Sequence, residues 1–121
     1  MIKHGNPPYL ECSSKGFKPF SAFYAKLNGK SIEEIYQAFK IFDDGSTNLS
    51  WREAKGRKAV NQEACDELYS ALWIEYILQN PDLLDILKQQ TGLSDMFGQK
   101  GHCCQATELW FIKKNFSMED F

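Results

Sequence analysis

The residues best suited to do chemistry lie in the segment Gly29-Lys30-Ser31-Ile32-Glu33-Glu34-Ile35-Tyr36-Gln37-Ala38-Phe39-Lys40. Ser31 and Glu34 have the spacing of a capping box, in which the two side chains satisfy orphan backbone donors at a helix start. That duty occupies Glu34 and leaves Glu33, its neighbour on the same first turn, without one. A carboxylate held there suits a reaction that develops positive charge. Cleavage of an N-glycosidic bond is one: the ribosyl carbon becomes oxocarbenium-like, and a carboxylate stabilises it while orienting or deprotonating water. The simpler role for Glu33 is to complement the helix dipole, an effect of roughly 0.3–1 kcal/mol.

A ribosyl phosphate also needs cations and a stacking surface. Arg52, Lys55, Arg57 and Lys58 form the one locally basic stretch, and a guanidinium there can grip phosphate oxygens bidentately, with Lys40 as a further cation. The plainer reading of such a run is a solvated helix face. Trp51 and Tyr24 are the aromatics placed to stack on a base, against the alternative of ordinary packing. Asp95, in a polar stretch, is the candidate second carboxylate, against the alternative of a turn or cap aspartate. His102-Cys103-Cys104 brings a ring and two thiols together, but adjacent residues do not supply the spacing of a zinc site. No metal or other cofactor is called for. The four cysteines read as reduced, buried, inert thiols.

The elements that must hold these residues follow from spacing. Residues 1–19, rich in Gly, Pro, Ser and Lys, read as an irregular arm with one short strand near Tyr9 to Cys12 and an exposed His4. Phe20 to Leu27 and the turn dipeptide Asn28-Gly29 predict a small β element. Ile32, Ile35, Tyr36 and Phe39 keep helical spacing, so a helix from Ser31 to about Phe42 is expected. Ser50 and Glu53 open a short second helix through the basic run. Cys65, Leu68, Tyr69, Leu72, Trp73, Tyr76 and Ile77 define a core helix of about four turns starting near Gln62. Asn80-Pro81 restarts the chain as a fourth helix with Leu83, Leu84, Ile86 and Leu87 inward, stopping at Thr91-Gly92. Leu93 to His102 reads as a glycine-punctuated loop over a site. A last helix spans roughly Gln105 to Lys113, and 115–121 reads as a loose tail.

The whole is a mostly helical α+β chain, one domain over 1–121, with a small N-terminal β element and about five helices. Its 121 residues, 43% of them hydrophobic, suffice for a core without staples. A net charge of −2 excludes a global electrostatic footprint for nucleic acid, which enters only as a modified substrate. No apolar run of about 18 residues predicts a membrane span, and the N-terminus lacks the apolar stretch of a secretory signal. The expected location is the cytoplasm, and self-association into a homo-oligomer stays open.

Three blocks of this chain resemble the NADAR family, which includes bacterial N-glycosidases acting on riboflavin-pathway intermediates. Phe20-Ser21-Ala22-Phe23-Tyr24 is similar to its F-S-N-F-Y-type segment. Gly29-Lys30-Ser31 with Glu33, Tyr36, Gln37, Ala38 and Lys40 is similar to its G-K-T and E-H-Y-x-Q-A-x-K segment. Gly56-Arg57, Ala71-Leu72, Asn80-Pro81, Leu83-Leu84, Leu87 and Thr91-Gly92 follow the order of a third, longer block. The likeness covers residues 20–92, and weakens through Leu109 to Lys113. It implies a compact, divergent NADAR-like domain in which Glu33 is the catalytic glutamate and Gln37, Lys40 and Arg57 lie near the ligand pocket. Ala22 replaces the family's Asn, Glu34 its His, and the W-G-D-G-type loop is absent or shortened into Gly98 to Gly101.

The implied function is hydrolysis of the ribose-base bond of an ADP-ribose derivative or ribosyl phosphate, with Glu33 and Asp95 catalytic and Tyr24, Gln37, Lys40, Trp51 and Arg57 binding ligand. The rival is a non-catalytic protein that binds and sequesters an ADP-ribose-derived or cyclic nucleotide. A third reading is an interaction module that docks its basic helix on an acidic protein surface.

Overall fold

The computed structural model describes residues 1–47, 51–54, 59–98 and 104–118, with the side chains of 51, 52, 117 and 118 left aside. It is an α+β arrangement in which three short strands and a two-residue hairpin brace a set of helices.

The sheet is assembled from two stretches, the N-terminal arm and the segment after α4, that local rules read as irregular. β1 (Ile2–Gly5) and β2 (Tyr9–Glu11) flank a central β5 (Gly92–Asp95), antiparallel on one side and parallel on the other. Residues 1–19 are therefore not an irregular arm, and Leu93–Asp95 is not a loop. All four residues of β5 are buried, and Ser94 is satisfied by the Glu11 carboxylate, Oγ to Oε1 2.8 Å. The other Glu11 oxygen accepts from the amides of Met96 (3.0 Å) and Ser13 (3.1 Å). Burial pushes the Glu11 carboxyl up, but the hydrogen bonds from Ser13, Met96 and Ser94 outweigh it and leave the group below its ordinary value. Gly92 has no room for a side chain: a Cβ would run into the carbonyl oxygen of Asn6.

The predicted hairpin is present as β3 (Lys26–Leu27) and β4 (Lys30–Ser31), joined by Asn28 and Gly29 at φ 54° and 84°. Two successive positive φ values are what a tight primed turn demands. Ser31 then caps α1 (Ile32–Ala38), its Oγ accepting the Glu34 amide at 3.1 Å. The helix stops four residues short of the expected Phe42. Asn61 is the reason: it receives the Ile41 amide (2.9 Å) and donates to the Phe39 carbonyl (3.1 Å), pulling the chain out of helical register.

α2 (Trp51–Ala54) is a single turn, and the remainder of the basic run, with Ser50, lies outside the described residues. α3 (Gln62–Gln79) and α4 (Pro81–Gln89) match the predicted helices, with Pro81 opening α4. α5 (Gln105–Met118) runs on through the stretch read as a loose tail. The core is centred on Trp73, and an edge-to-face series Tyr36, Tyr69, Trp73, Tyr76 ties α1 to α3 with centroid separations of 5.1, 6.4 and 5.6 Å. His4 is also not free in solvent. Its Nε2 lies 2.9 Å from Thr107 Oγ1 and its ring stacks on Trp110. Burial and the nearby Lys114 ammonium hold its pKa below the usual histidine value.

Candidate functional site

Glu33 occupies the first turn of α1, where capping by Ser31 fixes the helix start. Its amide donates to the Ala22 carbonyl at 3.0 Å, so the turn before the hairpin sets the height of the carboxylate. One turn on, at the i,i+4 spacing that brings helical side chains together, Gln37 Nε2 donates to Glu33 Oε1 at 2.8 Å. Gln37 is 4% exposed, and its own Oε1 is buried without a hydrogen-bond partner among the described residues. The amide orientation follows from the chemistry, because turning the amide over would set its oxygen against a carboxylate. Gln37 is thus first a brace for Glu33, a role the spacing Glu33-x-x-x-Gln37 could have signalled.

Asp95 is not exposed beside Glu33 in a polar loop. It ends β5, 3% exposed, and is engaged on both oxygens. Oδ2 accepts from Gln105 Nε2 at 2.8 Å and from the Cys104 thiol at 3.4 Å, while Oδ1 accepts the Phe97 amide at 3.0 Å. Its link to Glu33 is indirect. Gln105 Oε1 accepts the Ala22 amide at 2.8 Å, and the Ala22 carbonyl in turn holds the Glu33 amide. Asp95 therefore anchors the platform beneath Glu33.

The expected ligand binders fall into three groups. Lys40, 5% exposed, is enclosed, with Nζ 3.4 Å from the Ala54 carbonyl and 5.3 Å above the Tyr36 ring. Tyr24 is 49% exposed, with the Lys18 ammonium 5.0 Å from its ring centroid. Arg57 and the Trp51 side chain lie outside the described residues.

Reasoning from sequence missed a second set of polar residues. Tyr36, one turn from Glu33, points its hydroxyl to α3, where Gln62 Nε2 donates to it at 2.8 Å and Asp66 Oδ1 lies 3.5 Å away. Glu108 on α5 is half-buried and faces Ser70 and Asp66 of α3. Burial pushes its carboxyl up, Ser70 opposes the shift by hydrogen bonding, and the Asp66 charge adds to it. Two separate runs of contacts result: Tyr36 and Glu108 each face Asp66 on α3, and Gln105 reaches the Glu33 amide through Ala22. The available signal was Gln105-x-x-Glu108, two polar side chains one turn apart on a helix otherwise notable for Ala106, Leu109 and Ile112.

Among the described residues no group of three or more His, Cys, Asp or Glu side chains is arranged to hold a metal ion. The thiols of Cys12, Cys65 and Cys104 are buried, and burial raises the pKa of each. No helix among these residues is long and apolar enough to cross a membrane. Compared with known proteins, the chain matches no protein-family model and no curated sequence.

Proposed function

We propose that the protein hydrolyses the N-glycosidic bond between ribose and base in an ADP-ribose derivative or a ribosyl phosphate. The observation that carries this reading is the Glu33–Gln37 pair. One carboxylate oxygen is held by a buried amide donor, which orients the other, and the amide's own oxygen has no hydrogen-bond partner among the described residues. As the C1′–N bond breaks, its electron pair leaves with the base, and Glu33 stabilises the ribosyl cation while taking a proton from the attacking water. The similarity of residues 20–40 to the NADAR segments supports the same role for Glu33. In this reading Lys40 and Arg57 serve the phosphate, and Tyr24 or Trp51 stacks on the base.

One observation favours the rival reading of binding without turnover. Asp95, the sequence candidate for a second carboxylate, is consumed by its bonds to Gln105, Phe97 and Cys104. The two readings separate on incubation of wild type and Glu33→Gln with ADP-ribose derivatives, NAD and ribosyl phosphates, followed by chromatography and mass spectrometry. Base released by wild type and not by the variant is the expected result. Base release unchanged in the variant overturns the role of Glu33, and ligand recovered intact from both proteins establishes sequestration instead.

A further inference from the structure

α3 carries apolar residues on both of its sides. Cys65, Tyr69, Leu72, Trp73, Tyr76 and Ile77 line the side that enters the core. At about 100° per residue, Glu67, Ala71, Ile74 and Leu78 fall within an arc of about 60° on the opposite side, and all four are exposed. Ile74 is 36% exposed and Leu78 53%. Single apolar residues are ordinary on a protein surface, but Ala71, Ile74 and Leu78 keep the i, i+3, i+7 spacing by which one helix receives another. α1, which carries Glu33, packs on the core side, where Tyr36 meets Tyr69, so the outer stripe is no part of the Glu33 site.

The charge around the stripe selects what covers it. No lysine or arginine falls between Ala59 and Leu87, whereas Glu63, Asp66, Glu67, Glu75, Asp82 and Asp85 do. Glu63 and Glu75 are exposed and flank the stripe on either side, and Glu67 lies within it. Such an anionic rim repels nucleic acid and anionic lipid and attracts lysine and arginine. A second copy in symmetric contact would set the same carboxylates against one another. We propose that the outer face of α3 is a docking surface for a cationic amphipathic helix of a partner protein. The partner's apolar side chains seat on Ala71, Ile74 and Leu78, and its flanking lysines or arginines meet Glu63, Glu67 and Glu75. The stripe from Glu67 to Leu78 is about 17 Å long, which a partner helix covers with about three turns.

The probe is a synthetic helical peptide of about 18 residues with leucines along one stripe and lysines on both flanks. One comparator has the same composition with the leucines scattered around the helix, and a second keeps the stripe but carries glutamate in place of lysine. Binding is read from the fluorescence anisotropy of labelled peptide. Wild type is expected to bind the lysine-flanked stripe at least about tenfold more tightly than either comparator, and to lose several-fold in affinity as salt rises from about 50 to about 300 mM. Leu78→Ser, and the double reversal Glu67→Lys with Glu75→Lys, are each expected to weaken binding roughly tenfold. The reversed protein is expected to prefer the glutamate peptide. Phe111→Ser, which removes an exposed aromatic from α5, should change nothing. Melting curves check that each variant is folded.

Equal affinity for the striped and scattered peptides overturns the docking surface, as does binding that Leu78→Ser and the charge reversal leave unchanged. Absence of binding to any of the three peptides overturns it too. A wild-type dimer in sedimentation velocity that persists in high salt and is lost in Leu78→Ser gives the stripe to a second copy and overturns the cationic partner.

Discussion

Replacing Gln105 with methionine keeps volume and removes the two hydrogen bonds that tie the last helix to the turn before the hairpin and to the end of β5. In the native chain Gln105 is buried, with Oε1 on the Ala22 amide and Nε2 on Asp95, each at 2.8 Å. Ala22 is itself buried, so its N–H would lose its acceptor where water does not reach, which costs about 1–3 kcal/mol. The lost bond to a carboxylate adds about 1.5–3 kcal/mol. Asp95 keeps its bonds from Phe97 and Cys104. The two losses share one side chain and will not add fully, so a net destabilisation of about 3–5 kcal/mol is expected, a large part of the ~5–15 kcal/mol of an ordinary domain. With m about 1.5 kcal/mol/M, the urea midpoint falls by about 2–3 M. Gln89→Met, on an exposed part of α4, is the control and should stay within about 0.5 kcal/mol of wild type. A fall of less than about 0.7 M with unchanged m, equivalent to about 1 kcal/mol, would refute the claim that this side chain holds Ala22 and, through it, Glu33.

Glu11→Gln should destabilise by about 1–2 kcal/mol at neutral pH in urea titrations, since the native carboxylate accepts from Ser13, Met96 and Ser94. Its native pKa lies below the unfolded value, so this stabilisation is present above the unfolded pKa and disappears as pH falls through the native one, where the two proteins should converge. Glu108→Gln should behave oppositely. With the native pKa raised, the folded state binds more protons, so wild type loses stability as pH rises, and the variant should melt higher at pH 7.5 with the advantage gone at pH 4. Gly92→Ala should cost about 1–3 kcal/mol or more by the same titration, because its Cβ meets the Asn6 carbonyl. Iodoacetamide at neutral pH should leave Cys12, Cys65 and Cys104 unmodified in the native protein and label them in urea, read by peptide mass spectrometry.

Features governed by neighbours along the chain are legible in the residues themselves. The Ser31 cap, the Asn28-Gly29 turn, the length of α3 and the Pro81 restart each follow from a local rule, and each is found. What fails depends on residues far apart. Ser94 and Asp95 look like loop residues because the groups that satisfy them, Glu11 and Gln105, lie on other elements. β1 ends in Gly5 and Pro7-Pro8 separate it from β2, residues that locally argue against order, and the pairing of both strands with β5 supplies what the local composition lacks. α1 ends early because of Asn61, twenty residues from Ile41. The site divides in the same way. The placement of Glu33 and the reach of Gln37 are helix geometry, readable from a spacing of four. The approach of Glu108 to Asp66 and Ser70 is a product of α5 packing on α3, and no local pattern announces those partners.

The departures from ideal burial lie on α1 and α3, two helices that pack on each other. The buried side-chain atoms without a hydrogen-bond partner among the described residues are Gln37 Oε1 and Trp73 Nε1. The first is beside Glu33, and the second belongs to the aromatic series that supports Tyr36 and Tyr69 beneath it. The carboxyl pushed up by burial, Glu108, faces the same α3 surface. Elsewhere the fold takes pains to satisfy such groups, as the three bonds to Glu11 and the three to Asp95 demonstrate. A chain able to provide a buried carboxylate with three donors has the means to provide one donor for the acceptor at Gln37. Leaving that acceptor without a partner among the described residues lowers stability, so the Glu33–Gln37 pair on α1 is where binding a ligand would return the most free energy.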